Sequence, residues 1–227
     1  MDKFFRKAGI GGTTANNTAM GNVRRAIGLM GGTFNPIHYG HLVTAEAARD
    51  AFHLDRVVFI PAGQPPHKSD KYVADANHRY LMTFLAIAPN VHFEISQVEI
   101  NRDGPSYTSD TLKYFHSLDA TTEWYFITGA DAILEIASWH TPEKILSYAH
   151  LIAASRPGYS LSRLQALEQE IGGDADNRVH QLEVPALAIS SSDIRERLRQ
   201  GLSIKYLVPE AVEQYIAKQH LYATGST

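Results

Sequence analysis

Short apolar runs alternating with helix-length amphipathic stretches constrain this chain more than any other feature. Six runs read as strands: Ala26–Met30, Arg56–Ile60, Val91–Ile95, Trp124–Thr128, His150–Ala154 and Val179–Val184. They are rich in Val, Ile and aromatic residues, and several are apolar almost throughout, as strands covered on both faces must be. Between them the spacing predicts helices over His41–Phe52, Asn77–Ala88, Ser109–Ser117, Thr141–Tyr148 and Leu161–Glu170. Such alternation folds as right-handed crossovers around a mainly parallel sheet, an α/β class with helices on both faces. This domain is expected to span residues 23–185. After Pro185 two helices, near Ser192–Gln200 and Pro209–Gln219, follow with no strand between them. Residues 186–227 therefore read as a small helical lobe on the sheet's edge.

Residues 1–22 stand apart. Gly, Thr, Asn and Ala dominate positions 8–22, with little to bury, and a flexible tail is expected there. Met20 stands shortly before the first strand, so a start at Met20 is an alternative that N-terminal sequencing of the native protein would reject by finding residue 1. The 227 residues suffice for one large domain, or a domain plus a lobe, with a sizeable core. Lys and Arg total 21 against 24 Asp and Glu, a net charge of −3. A protein that neutralises a nucleic-acid backbone carries a basic excess, so no nucleic-acid partner is expected, and any nucleotide bound is small and held in a pocket. The absence of cysteine excludes disulfides, zinc–thiolate sites, iron–sulfur clusters and thiol nucleophiles together. No apolar run approaches the ~20 residues that span a bilayer. The basic start MDKFFRKAGIGGTT is not followed by an apolar stretch, so it is no secretory signal, and a cytoplasmic location without membrane contact is the expectation.

Open parallel sheets hold ligands outside the carboxyl ends of their strands. Gly31–His41, Pro61–Lys68, Gly129–Asp131 and Ser155–Gly158 follow the first, second, fourth and fifth strands, so all fall on one rim. Most informative is Gly31-Gly32-Thr33-Phe34-Asn35-Pro36-Ile37-His38-Tyr39-Gly40-His41. Two glycines after a strand let the backbone approach a phosphate and permit positive φ. The helix that follows aims free N–H groups and its positive dipole end at the same place. His38 and His41, three apart, share a face on a helical first turn and can donate to oxygens that gain charge in a transition state. A lone Gly-Gly turn or a single capping histidine would need no ligand; the whole ordered set after a strand points to phosphate.

The segment GGTFNPIHYGH resembles the H-x-G-H signature of a nucleotidyltransferase superfamily. Ile189-Ser190-Ser191-Ser192-Asp193-Ile194-Arg195 is similar to that family's I-S-S-T-x-I-R element. Serines opening a helix with an arginine one turn in form an anion site, although alone they would be an ordinary N-cap with a solvated arginine. Three inner segments resemble the bacterial nicotinate mononucleotide adenylyltransferases in particular: Pro61-Ala62-Gly63-Gln64-Pro65-Pro66-His67-Lys68, Gly104-Pro105-Ser106-Tyr107-Thr108-Ser109-Asp110-Thr111, and Gly129-Ala130-Asp131 followed by Trp139 and His140. The resemblance covers about residues 26–219.

That resemblance implies a Rossmann-like doubly wound sheet, with ATP and nicotinate mononucleotide as substrates and Mg2+ as cofactor, and the C-terminal lobe completing the ATP site. It assigns catalysis to His38 and His41, on the α- and β-phosphates, and to Arg195 with its serines, on the leaving pyrophosphate. ATP would meet Gly31, Gly32, Thr33, Phe34, Gly129, Asp131, Arg156, Ile189, Ser190, Ser191 and Ser192. The pyridine nucleotide would meet Asn35, Lys68, Tyr107, Thr108, Trp139 and His140, with Trp139 stacked on the ring and amides near Thr108 and His140 on its carboxylate. For several of these a plain structural role stays open: Trp139 or Tyr107 in the core, Lys68 as a solvated charge, Asp131 as a helix cap. Arg156 rests on the resemblance alone. Position 35 is Asn where many members carry Asp, so no protein metal ligand is expected and Mg2+ would ride on triphosphate oxygens and water. An enzyme preferring the nicotinamide nucleotide or accepting both, and a catalytically silent nucleotide-binding regulator, remain alternatives. A class I aminoacyl-tRNA synthetase fragment is disfavoured by size and charge. Homo-oligomerisation is left open.

Overall fold

The computed structural model describes residues 24–65, 73–133, 135–155, 178–185 and 187–223. Its centre is a six-stranded sheet in the order β3-β2-β1-β4-β5-β6, with every neighbouring pair parallel. The strands are β1 (Ala26–Gly32), β2 (Arg56–Pro61), β3 (Phe93–Ile95), β4 (Glu123–Gly129), β5 (His150–Ser155) and β6 (Val179–Glu183). The described helices are α1 (Tyr39–Ala51), α2 (Ala76–Ile87), α3 (Thr108–Leu118), α4 (Ala130–Ile133), α5 (Ile145–Tyr148), α6 (Ser191–Arg199) and α7 (Glu210–Lys218). This is the doubly wound order whose switch point lies between β1 and β4.

Alternation along the strands divides the core between the two faces. Val58, Ile60, Trp124, Phe126 and Leu151 lie in one apolar cluster with Leu112 and Phe115 of α3 and Ile145 of α5. Val57, Phe59, Ile127 and Ile152 lie in the other, with Ala45 and Ala48 of α1 and Met82 and Ala86 of α2. Each buried Val, Leu, Ile or Phe stabilises by about 1.5–3 kcal/mol, so two well-filled faces explain why these strands read as continuous apolar runs.

Three expectations shift. The third strand shrinks to Phe93–Ile95, which pair only with Val57–Phe59, and Val91 is exposed. The stretch 141–148 divides into a 3-10 turn, Pro142–Lys144, and the short α5, and Thr141, at a left-handed φ of 48°, stands before them rather than in a helix. The C-terminal lobe packs against α2 over one face of the sheet. Its Ile194, Ile204, Val208, Val212 and Ile216 join the α1/α2 cluster, and Tyr215 Oη lies 2.8 Å from His78 Nδ1. The tail 1–22 and the predicted helix Leu161–Glu170 lie outside the described residues.

Candidate active site

The loop from β1 into α1 departs from its expected local geometry in two ways. The residue with positive φ is Phe34, at 47°, while Gly31 and Gly32 have no positive φ and instead lie close against aromatic rings. A Cβ on Gly31 would lie 3.1 Å from the Phe126 ring, and one on Gly32 would lie 3.0 Å from the Phe34 ring. His38 is the N-cap of α1, with extended backbone (φ −148°, ψ 170°), and lies just outside the first helical turn. The two histidines nonetheless meet, their rings stacked with centroids 3.8 Å apart. A Cβ at position 40 would come within 3.0 Å of the His38 ring, so Gly40 makes room for this stack.

His41 Nδ1 accepts from the His38 main-chain N–H at 3.2 Å, half of a capping box. A neutral imidazole that accepts through Nδ1 carries its proton on Nε2, which leaves Nε2–H as the donor. Phe34, buried in the core, holds the His41 ring edge-to-face at 5.1 Å. His38 is 7% exposed, and burial pushes its pKa down to about 4. At neutral pH it is an uncharged hydrogen-bonding group.

The depressed pKa has a consequence for stability. Between pH 6.5 and 4 the unfolded chain binds a proton at His38 that the native state refuses, so stability rises with pH across that window and is lost as pH falls through it. The full shift is worth about 3 kcal/mol. The difference in melting temperature between the wild type and His38→Gln should therefore shrink or reverse from pH 6.5 to 4. Parallel curves for the two proteins would show that His38 carries no such linkage.

His38 and His41 line a cavity of about 530 Å³ at the carboxyl ends of the strands. Gly129 and Asp131 face them from the end of β4, Ser155 from the end of β5, and Ile189 from the segment entering α6. Nothing lies within 4 Å of where a Cβ on Gly129 would sit, so this wall leaves room for a ligand. The volume falls in the range of about 300–1,000 Å³ usual for small-molecule sites. A larger cavity of about 830 Å³ opens at the opposite rim, beside Arg24, Glu123 and His150. Ligands of open α/β sheets sit at the carboxyl rim, and the paired histidines are there, so the smaller cavity is the candidate site.

The second signature stands behind the first. Ser190 caps α6, accepting from the Asp193 N–H at 3.0 Å. Ser191 Oγ donates to Pro36 O at 2.9 Å, and Arg195 Nη1 donates to Asn35 O at 2.9 Å while Nη2 reaches Ser192 Oγ at 3.3 Å. Arg195 is buried and is not on the cavity wall; in this structure its guanidinium grips the backbone of the histidine loop. Thr33 offers its carbonyl to Arg79. Asn35 is buried, and its Oδ1 accepts from the Ala74 N–H (3.0 Å) and the Tyr222 hydroxyl (2.7 Å).

Of the residues expected to meet the pyridine nucleotide, Tyr107, Thr108, Trp139 and His140 lie off this cavity wall and apart from the contacts that hold Asn35. Tyr107, the N-cap of α3, stacks on His140 with centroids 4.4 Å apart, and Thr108 opens the helix, whose first N–H groups lack intrahelical acceptors. Trp139 is half-buried and meets Phe126 edge-on at 6.2 Å, so Phe126 underlies both Gly31 and Trp139. Ser106 Oγ accepts from the Gly63 and Gln64 N–H groups, stapling the loop after β2 to the loop before α3. A Cβ at Gly63 would fall 2.2 Å from Glu99 O, so only glycine fits there. Glu99 is itself buried, which pushes its pKa up, and it accepts from Thr111 Oγ1 at 2.7 Å. Lys68 and Arg156 lie outside the described residues.

Thr44, Arg79 and Tyr222 went unnoticed in the sequence, and Ser155 was placed on the rim but given no role. Thr44 and Ser155 line the cavity, and Thr44 follows His41 at a helical i, i+3 spacing that could have flagged it. Arg79 is 1% exposed, and its Nε, Nη1 and Nη2 donate to Ala74 O, Thr33 O and Gly63 O. Its signal was also present: with Met82, Thr83 and Ala86 it falls on the buried stripe of α2. Tyr222 carried none.

A cytidylyltransferase-like family model matches residues 29–197. A protein of Moorella thermoacetica named "probable nicotinate-nucleotide adenylyltransferase" is 54% identical over 197 residues, which cover 86% of this chain and 91% of that protein. One of the same name from a Thermoanaerobacter species is 52% identical over 197 residues, covering 86% and 93%. Among solved structures, the Plasmodium falciparum nicotinic acid mononucleotide adenylyltransferase complexed with NaAD superposes with a TM-score of 0.73 at 22% identity, over 88% of this chain and 98% of that one, a likeness of fold. The chain belongs to the cytidylyltransferase-like family and, within it, to the nicotinate-nucleotide adenylyltransferases.

Proposed function

We propose that this protein transfers AMP from ATP to nicotinate mononucleotide, giving deamido-NAD and pyrophosphate. A 5′-phosphate oxygen of the mononucleotide forms a bond to the α-phosphorus of ATP, and the bond from that phosphorus to the bridging oxygen of the β-phosphate breaks in line. The nucleophile is already an anion, so positioning and charge stabilisation supply the catalysis. The observation that carries this reading is the stacked His38–His41 pair on the wall of the carboxyl-rim cavity. His41 Nε2–H would donate to an oxygen of the reacting phosphates, with His38 beside it. Ile189 and the α6 serines would close the ATP side, and Arg195 would shape the loop and add positive charge near the departing pyrophosphate. Trp139, Tyr107 and His140 would frame the pyridine ring, with the α3 N-terminus near Thr108 as donor to its carboxylate.

Mg2+ fits as a companion of the triphosphate. Asp131 is the acidic residue on the cavity wall, and no group of three His, Asp or Glu among the described residues is arranged to hold an ion. Asp131 could meet the ion through water, and the ion when bound offsets charge on phosphate oxygens. Among the described residues no helix is long and apolar enough to cross a membrane.

Pyrophosphate release with ATP and each pyridine mononucleotide, with and without Mg2+, tests the proposal. Release should require Mg2+ and be faster with the nicotinate nucleotide, because N–H donors favour the carboxylate. Equal rates with the amide would make the enzyme dual-specific; no release with either would reject the assignment.

A further inference from the structure

The C-terminal lobe holds the histidine loop at four points. Arg195 donates to Asn35 O, Ser191 donates to Pro36 O, and Leu207 O accepts from the Tyr39 N–H at 3.1 Å. The fourth contact runs between side chains, from the Tyr222 hydroxyl to Asn35 Oδ1 at 2.7 Å across 187 positions of sequence. We propose, on the adenylyltransferase reading above, that Tyr222 is a positioning residue for nucleotidyl transfer, its hydroxyl locking Asn35 so that the loop presents His38 and His41 to the triphosphate.

The chain after α7 is bent to make this contact. His220 and Tyr222 both take left-handed φ, 52° and 66°, and Leu221 N–H donates back to Ile216 O at 3.1 Å. Non-glycine residues in that region are strained and persist where surrounding contacts hold them. The turn delivers an aromatic ring to the loop that precedes the catalytic pair. Burial raises the Tyr222 pKa, opposed in part by Arg195 and Arg79, so the hydroxyl remains protonated and available as a donor.

Asn35 is a hub because three separate elements hold it. The Ala74 N–H and the Tyr222 hydroxyl occupy the two lone pairs of Oδ1, and Arg195 takes the main-chain oxygen. Asn35 lies three residues before His38. Removing the hydroxyl leaves a buried carbonyl oxygen with one donor fewer and frees the loop to shift, and ångström-scale misplacement of catalytic groups is expensive in rate. The effect belongs in phosphate binding and turnover, because the sheet and its two apolar clusters do not depend on this bond.

The test uses the full chain with Tyr222→Phe, which deletes the hydroxyl and keeps the ring. kcat/KM for ATP should fall about tenfold, calorimetric ATP affinity should weaken in the same direction, and the melting temperature should stay well above the assay temperature. Asn35→Ala combined with Tyr222→Phe should be no worse than Asn35→Ala alone, because the pair acts as one unit. If the single variant lowers the melting point, the same titration in the cold, with the protein fully folded, separates lost positioning from lost folding. Wild-type kcat/KM and ATP affinity in Tyr222→Phe, or a double variant whose losses multiply, overturns the proposal. ATP affinity is measured without a pyridine nucleotide, so it tests this contact even if neither acceptor releases pyrophosphate.

Discussion

Replacing His41 with alanine should lower turnover about 100- to 1000-fold while leaving the protein folded, the usual cost of losing one transition-state donor. The ring's Nδ1 is committed to the His38 N–H, so the Nε2 proton is what the cavity receives. Alanine is a good helix former, and α1 keeps its buried Ala45 and Ala48 against the sheet, so the fold should survive the loss of the ring contacts with His38 and Phe34 and of the capping bond from the His38 N–H. Single-turnover pyrophosphate release, read beside a circular-dichroism melt, separates the two effects. Turnover within a few-fold of wild type would remove His41 from the chemistry.

Replacing Arg79 with methionine should destabilise the protein by about 3–5 kcal/mol, the largest loss of stability expected from one polar side chain here. Methionine fills similar volume and relieves the burial of a guanidinium, which by itself would be favourable. The three carbonyls that Arg79 holds, on Thr33, Gly63 and Ala74, remain behind without that donor. Each orphaned acceptor costs about 1–3 kcal/mol, so the balance is a loss. For a chain of this size the melting temperature should fall by about 10–15 °C. Arg79→Lys should recover little of it, because one ammonium cannot span three carbonyls as the planar fork does. A melting point within about 2 °C of wild type in Arg79→Met would show that the clamp contributes nothing.

Much of this architecture is legible in the order of the residues. All six strands were expected near where they occur, β3 in a longer form than it takes, and those buried on both faces leave apolar runs such as Val57–Ile60 that local pattern alone reveals. The histidine loop, the serine-capped helix and their shared rim were legible because glycine, serine and histidine carry local conformational or chemical signals. The finer geometry was less accessible. Positive φ fell on Phe34, and His38 became a cap, because the packing of Phe126 and Phe34 decides how the loop leaves β1. Arg195 was expected on phosphate, yet its Nη1 is bonded to Asn35 O, a partner 160 positions away that no local pattern announces.

From the order of its residues the chain determined its sheet, the rim on which its loops gather and the family to which it belongs, since each depends on periodicity and short motifs. Tertiary structure alone decided which groups support that rim. Arg79, Tyr222 and Arg195 come from α2, the C-terminal turn and α6, and converge on the loop of residues 33–35. Their roles follow from buried donors finding acceptors after the chain has closed, and hydrogen bonds between distant segments are chosen by packing in three dimensions rather than by neighbours in sequence.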